Sequence, residues 1–598
     1  MEAGVDSSRA ARTLLLALAV VLLIRLPFLN QAIQGDEDIY RTEAEHALID
    51  PLHPTHTPYV FMGDVVDLRG HSHPPLNGWV LAGLIAAVGD IREVPFHAAY
   101  IGFSLIAAAS MWSLARRFSP RPLWATLLFL AVPVFVVNGN SLEADLPFLA
   151  FWMAAIALFT AGRIWLAAPC LAVAALGAYQ GVFLTPILAL WVWLFRRRDR
   201  AAWALTLTPV IAIGAFQVFT RLTTGSMPAS VLAGYFSTYG LQALEKKLRS
   251  AVMLAIHAAF LVFPLLAAPA AAQAWKRRRE PETAFLLGWI GLFFAGAVAV
   301  FFAGSARYLL PMAAPVALLA SRLPVKWLAP AFAVNLAIGL GLAAANYEHW
   351  DGYRDFAREL RPATAGRRVW VNAEWGLRFY LEADGALPLT KKQPVKAGDV
   401  VVSSELLRPV DLTAPVAPIA VREIRPAAPF RLIALESASG FSSVDKGFWP
   451  FGLSTGLVDR VRAELVIERR ATAEYLMMNA PEAKDQIVSG VYNLEEGRYR
   501  WMADVATLLL KTPAEPLPIR ATFSIPANAP GRAVRLLLDG KLVAARTFAA
   551  PGTYSLESPP QRPDVPSAVL TLAIDKTFQA PGDARALGMV LTGAGFAR

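Results

Sequence analysis

Cysteine is almost absent. Cys170 stands alone in 598 residues, so no intrachain disulfide can form and a disulfide-stapled scaffold is excluded. Charge is scarce as well. Asp, Glu, Lys and Arg make up 17% of the chain, against about 25% in soluble domains. With 56% hydrophobic residues and a mean hydropathy of +0.44, a chain soluble throughout is excluded. The formal charge is +10, yet the continuous basic stripe of a nucleic-acid face is missing. The basic residues instead form short clusters between apolar runs: "RRFSPR" (116–121), "RRRDR" (196–200) and "KRRRE" (276–280). That is the charge pattern of cytoplasmic loops between membrane spans, and no nucleic-acid partner is expected.

What is present is apolar sequence in lengths that cross a bilayer, about 17–25 residues each, throughout residues 13–347. The first run follows Arg9 and Arg12, lacks a small-residue cleavage site and continues through Pro27-Phe28-Leu29, so it reads as a retained helix rather than a cleaved signal. With the N-terminus inside, residues 30–95 lie outside. The segment 73–89 opens with two prolines and is short, so it is expected to dip into the outer leaflet. Helices at about 96–114, 123–138, 145–161, 164–179, 182–195, 201–220, 251–275, 284–303, 308–321 and 327–346 then alternate, giving about eleven spans with the basic clusters inside.

From residue 348 the composition turns polar and Pro-rich. Residues 348–457 open with the helical pattern "YRDFARELR" and continue with short apolar strands, "RRVWVNA" and "GDVVVSS", which predicts a small α/β domain. Residues 458–598 hold alternating strands such as "RAELVIER", "IRATFSIP" and "SAVLTLAID", and "LLLDGKLVA" reads as a hairpin around Asp-Gly. A β-sandwich is expected there. The fold class is thus a membrane α-helical bundle followed by soluble α/β and β-sandwich parts, both extracytoplasmic.

Three loops bring ionisable residues to the outer side. The loop 30–95 carries Asp36-Glu37-Asp38, Tyr40, His71 and His73. "NGNSLEADLP" carries Glu143 and Asp145, and "GSARYLLP" carries Arg307 and Tyr308. Charged groups at a membrane boundary are costly unless paired or used. A carboxylate can take a proton from an attacking hydroxyl or amine, and an arginine fork can grip a phosphate. Blander readings stand beside these. Asp36 and Glu37 could open a solvated loop helix, Asp145 could cap its helix, and Arg307 could snorkel to the interface. Five of the eight histidines, His46, His53, His56, His71 and His73, lie in one loop. With the acids they make a divalent-metal site the alternative, although their spacings are loose and no cofactor is expected.

Four motifs in order resemble the GT-C superfamily of polytopic glycosyltransferases, in particular its protein O-mannosyltransferase and lipid A aminoarabinose-transferase branch. They are "DEDIY", "HPPL", "LEADLPFLAF" and "RYLLPMAAP", and the resemblance covers residues 13–347. It implies a GT-C-like bundle in a bacterial inner membrane and a sugar donor carried on polyprenyl phosphate, with membrane lipid around its tail. The acceptor would be an extracytoplasmic glycan, lipid or protein. It implies Asp36 as the acid nearest the acceptor; in the enzyme reading of the residues Asp36 is the general base, Glu37 assists it and Asp145 orders the pocket or the acceptor. Tyr40, His71, His73, Glu143, Arg307 and Tyr308 would line the substrates, with Arg307, Tyr308 and His73 on the phosphate. Oligosaccharyltransferases of the same superfamily use a metal. One departure stands out: many relatives carry Lys-Gly where this chain has Gln180-Gly181 in "AYQGVFLTP". A transporter would want mid-span ionisable groups and internal repeats, which are not evident, and a non-catalytic scaffold leaves the acidic loop without a role.

Overall fold

A computed structural model of the chain describes residues 2–412, 414–580 and 583–598; the side chain of Arg9 lies outside the described residues. Its first part is a bundle of apolar helices. Among the described residues five helices are long and apolar enough to cross a membrane: Ala10–Phe28, Glu93–Phe118, Arg200–Thr224, Pro281–Val300 and Val325–Thr364. Shorter apolar helices pack between them, among them Leu76–Val88, Asp145–Thr160, Ile164–Gly177 and Ala306–Ala320.

Two of the expected crossings are broken. The segment 123–138 forms two helices, Pro122–Leu130 and Pro133–Asn138, because Pro133 has no N–H to continue the ladder. The segment 251–275 belongs to two helices, Leu244–Ala259 and Pro264–Lys276, that meet at 90°, again with a proline opening the second. Apolar composition alone carries no information on either break. The segment 73–89, expected only to dip, is a 13-residue helix, about 20 Å long at 1.5 Å per residue and short of the bilayer core.

Two soluble boundaries differ from the sequence reading. The change of composition near residue 348 falls inside one helix, Val325–Thr364, of 40 residues and about 60 Å. Its second half buries Tyr353, Phe356 and Leu360 in the core of the α/β unit. That unit is a five-stranded sheet in the order Leu387–Pro388, Val369–Asn372, Val400–Ser404, Asp459–Val466, Val416–Ile424. The strand Asp459–Val466, assigned from sequence to the β-sandwich part 458–598, therefore belongs to the α/β sheet. It sits between Val400–Ser404 and Val416–Ile424, antiparallel to both. Its alternation, with Val461 and Ala463 fully buried, marks a half-buried strand but not which sheet it joins.

The last part is a nine-stranded antiparallel network. The long strand Tyr499–Lys511 changes partner along its length, pairing with Val590–Phe596 at Arg500 and Trp501 and with Ser567–Ile574 from Val505 onward. Alternate residues of these strands, such as Leu508, Leu570, Phe523 and Leu536, fill a single core. The expected Asp-Gly hairpin is present: Leu538 pairs with Lys541 across Asp539 and Gly540, both at positive φ, as a type I′ turn requires.

The α/β unit seats on the end of the bundle that carries Asp36. Tyr380 Oη accepts from Ile33 N at 2.8 Å, Arg41 pairs with Glu382 at 2.9 Å, and Arg354 donates to Asn30 O at 3.2 Å.

Candidate active site

Asp36 precedes the helix Glu37–Ala47. Gly35 before it has φ +47°, and a Cβ there would lie 2.6 Å from Glu143 Oε1; glycine thus serves both the turn and the close approach of the "NGNSLE" loop. The contact is used, since Asp36 N donates to Glu143 Oε1 at 3.2 Å. The loop is held from below by buried polar side chains. Arg25 donates to the carbonyls of Phe135 and Val136, both at 2.7 Å, so the last turn of Pro133–Asn138 is capped by a guanidinium. Gln34 Nε2 donates to Asn140 O at 3.2 Å and its Oε1 accepts from Asn346 Nδ2 at 2.5 Å.

Arg307 is the centre of the site. Its Nη2 donates to Asp36 Oδ2 at 3.0 Å, and its Nη1 donates to Glu143 Oε2 and lies 3.5 Å from Asp145 Oδ2. Three carboxylates thus share one cation, and both terminal nitrogens are committed to acids. The three acids are not equivalent. The Asp36 side chain is 32% exposed, whereas those of Glu143 and Asp145 are 8% and 4% exposed. Burial pushes the Glu143 carboxyl up, Arg307 pulls it down, and Asp36 raises it again.

A cavity of about 420 Å³ opens beside this cluster, and Asp36, His71, His73, Gln180, Arg307 and Tyr308 reach its wall. His73 Nδ1 lies 2.9 Å from Tyr40 Oη and 3.1 Å from Ser72 Oγ. Burial, then the nearby His71 and Arg307, hold the His73 imidazole well below its ordinary range, so it is neutral. Both neighbours of Nδ1 are hydroxyls able to donate to it, and on that ground we assign the ring proton to Nε2. His71 Nδ1 pairs with Glu43 Oε1 at 2.8 Å. Tyr308 stacks on Phe301 with ring centroids 4.0 Å apart.

The structure redistributes several of the expected roles. Glu37, expected to assist catalysis, is buried and faces away from the cavity wall. Its carboxylate accepts from Gln34 N at 3.0 Å, Ser141 Oγ at 2.9 Å and Leu142 N at 2.8 Å, so it clasps the first helix's loop to the "NGNSLE" loop. Burial and then the charge of Glu143 push Glu37 up to about 8, against these three hydrogen bonds. Tyr40 is fully buried behind the two histidines and positions His73 rather than lining the cavity. Asp145 and Glu143 lie behind Arg307. Of the loop histidines, His71 and His73 stand side by side with ring centroids 5.3 Å apart and His53 and His56 with centroids 6.4 Å apart; His53 bonds Asp50 and Thr223, His71 bonds Glu43, and among the described residues no three His, Cys, Asp or Glu side chains form a metal-ligand group.

Gln180 sits in the cavity wall, 5% exposed, and its Oε1 has no hydrogen-bond partner. The turn that presents it is fixed by Gly181, whose Cβ, if present, would stand 2.7 Å from Ala175 Cα.

One wall was missed in the sequence reading. The helix Pro228–Thr238 lies in a stretch assigned no element, yet Leu232, Tyr235 and Phe236 line the cavity. Tyr235 Oη donates to Asp67 O at 2.8 Å and accepts from Asp67 N at 2.6 Å, which fastens this helix to the hairpin Pro58–Asp67. The signal was there: Leu232, Tyr235, Phe236 and Tyr239 recur at i, i+3, i+4 and i+7 behind a proline.

No protein-family model and no curated protein matches the chain. Among solved structures, ArnT from Cupriavidus metallidurans bound to undecaprenyl phosphate is similar at 14% identity and TM-score 0.45, over 69% of this chain and 96% of that one. The apo state of the same protein is similar at 16% identity and TM-score 0.43, over 66% and 94%. The mycobacterial arabinofuranosyltransferase AftD is similar at 12% identity and TM-score 0.37, over 98% of this chain and 62% of that one.

Proposed function

We propose that the chain is an integral membrane glycosyltransferase that moves a sugar from a polyprenyl-phosphate carrier to an extracytoplasmic acceptor, with Asp36 as general base. One observation carries the reading. Of the three carboxylates gathered on Arg307, only Asp36 combines exposure with a place in the cavity wall. The acceptor hydroxyl attacks the anomeric carbon, its proton passes to Asp36, and the carbon–oxygen bond to phosphate breaks with the electron pair leaving on phosphate. A covalent sugar intermediate wants a second carboxylate at the reacting centre, and Glu143 and Asp145 are buried behind the guanidinium. Direct displacement with inversion fits this arrangement.

We divide the phosphate role differently from the sequence reading, which put Arg307, Tyr308 and His73 on it. Both terminal nitrogens of Arg307 already engage acids, and in this reading its main task is to hold Asp36 in place. The neutral His73, with Nε2–H as donor beside Arg307 and Tyr308, takes the phosphate. In this reading the soluble units face the extracytoplasmic side with Asp36, and the basic clusters face the cytoplasm.

The test is transfer of radiolabelled sugar from polyprenyl-phosphate donors in membranes containing the chain, compared with membranes containing Asp36→Asn. Label appearing in acceptor only with the unaltered chain supports the reading. Donor movement across the bilayer without transfer would replace it with a transporter.

A further inference from the structure

The helix Leu244–Ala259 is buried on one side and exposes an apolar stripe on the other. Ser250, Met253, Leu254 and His257 form its buried face against the protein. On the opposite side Leu244, Leu248 and Val252 are 74%, 59% and 53% exposed, at the i, i+4, i+8 spacing of one stripe. A stripe turned away from the core needs another apolar neighbour.

The helix's orientation limits what that neighbour is. The next helix, Pro264–Lys276, meets it at 90° and runs to Lys276 and the arginines 277–279, the basic cluster that marks the far face of the membrane. With Pro264–Lys276 taken along the bilayer normal, as its basic end argues, a helix perpendicular to it lies in the plane of the bilayer. Its level is set by Lys247, which donates to the carbonyls of Ala299 and Val300 at 2.8 and 3.0 Å, the end of the crossing helix Pro281–Val300. Leu244–Ala259 therefore lies at the membrane boundary on the side of Asp36.

A loop of the soluble part reaches the same place. In "GFWPFGLS", Trp449 and Leu453 are 67% and 76% exposed. Its Phe448 lies under Arg249 at 5.2 Å, and its Phe451 packs edge-on against Phe260 at 5.6 Å. Upstream, Phe441 O accepts from Ala306 N at 2.9 Å, and Val444 N donates to Ala303 O at 2.8 Å. Exposed Trp and Leu on a loop pinned to helix ends, beside an in-plane helix with an exposed leucine stripe, have the composition of an interfacial anchor. A patch of this kind facing water without a partner is uncommon.

We infer that Leu244–Ala259 and the 448–453 loop together form an apron that inserts into the lipid leaflet on the side of Asp36, mooring the soluble part to the membrane beside the cavity. The occupant of this surface is lipid: the crossing helix Pro281–Val300, whose end Lys247 holds, itself exposes Leu292 and Val300, so the apron continues an apolar surface that a bilayer covers. The inference does not depend on the catalytic reading.

The chain's cysteine count makes the test direct. In a Cys170→Ser background, Leu248→Cys, Trp449→Cys and Leu453→Cys are made one at a time, with Leu542→Cys, 60% exposed on the far β-unit, as the aqueous reference. Each is nitroxide-labelled and reconstituted in phosphatidylethanolamine–phosphatidylglycerol vesicles. The expected result is loss of collision with a water-soluble nickel chelate and gain of collision with oxygen at the three positions, relative to position 542. Nickel access equal to that at 542 overturns the proposal. So does a label immobile and closed to both reagents in detergent micelles as well as vesicles, which would place a second copy or another protein on the surface. Three independent positions keep the test alive if one label disturbs folding.

Discussion

Asp36→Asn separates chemistry from architecture, because the structure lets the two costs be weighed apart. The amide keeps the shape of the carboxylate, and its oxygen can still accept from Arg307 Nη2. The backbone bond from Asp36 N to Glu143 is untouched. Arg307 retains Glu143 and Asp145, so no cation is left uncompensated. Asp36 is about one-third exposed, and an exposed ion pair is worth roughly 0.2–1 kcal/mol. The stability loss should stay within about 1 kcal/mol. The rate loss should be larger, since a positioned general base contributes roughly 10²–10⁴-fold, or about 2.7–5.4 kcal/mol of barrier at 1.36 kcal/mol per decade. The measurement pairs initial rates of radiolabelled transfer with thermal unfolding of the purified variant. The expected outcome is nearly unchanged unfolding, unchanged donor binding and transfer down at least ~100-fold. Near-normal transfer by a normally folded variant would leave the proposed reaction without its base. Loss of transfer together with loss of folding would show that the charge cluster, not proton removal, is what Asp36 serves.

Two further substitutions test the scaffold around it. Glu37→Ala removes the acceptor for Gln34 N, Ser141 Oγ and Leu142 N. At roughly 1–3 kcal/mol per buried donor left unsatisfied, it should lower stability by at least ~2 kcal/mol, read as a lowered unfolding midpoint, with Glu37→Gln milder. Gly181→Ala places a methyl 2.7 Å from Ala175 Cα; overpacking of this kind costs about 1–3 kcal/mol, and a midpoint equal to that of the unaltered chain would show that the Gln180 turn is not fixed by this contact.

The site was more legible than the spans. Asp36, Glu143, Asp145 and Arg307 stand out in sequence because charged residues interrupt apolar runs at their ends, and the structure gathers the three acids on the Arg307 guanidinium. Glu37 was misplaced because Asp36 stands before the helix and faces the cavity, while Glu37, the first helical residue, turns to Ser141 and Leu142. Tyr40, three residues further along the helix, meets His73 from behind. Hydropathy averages over a window, so it registered 123–138 and 251–275 as single runs although Pro133 and Pro264 open new helices within them. The polar residues that hold the loop, Arg25, Gln34 and Asn346, carry no local signal, since their partners are more than a hundred residues away and only the fold makes them neighbours. The strand Asp459–Val466 was read correctly as a strand and assigned to the wrong sheet, because alternation reports one buried face and is silent on which strands flank it.

The sequence reading gives Arg307 to the donor phosphate; the proposed function gives it chiefly to the protein, on the charge balance of the cluster. Substitution distinguishes the two. If Arg307 mainly gripped phosphate, Arg307→Met would weaken donor binding in a normally folded chain. In the structure it would leave Asp36, Glu143 and Asp145 together without their shared cation. Two of these are almost fully buried, and removing one partner of a buried ion pair costs about 3–5 kcal/mol. Arg307→Met should therefore fold poorly, with a sharply lowered unfolding midpoint or loss from the membrane fraction. The compensating change identifies the cause. Arg307→Met combined with Glu143→Gln removes one of the stranded charges and should recover part of the lost stability, although transfer stays low because Asp36 has lost its anchor. A singly substituted Arg307→Met chain with an unchanged midpoint and only reduced donor affinity would return the guanidinium to the phosphate, and the cluster would then have to be held together by protonation of its buried acids.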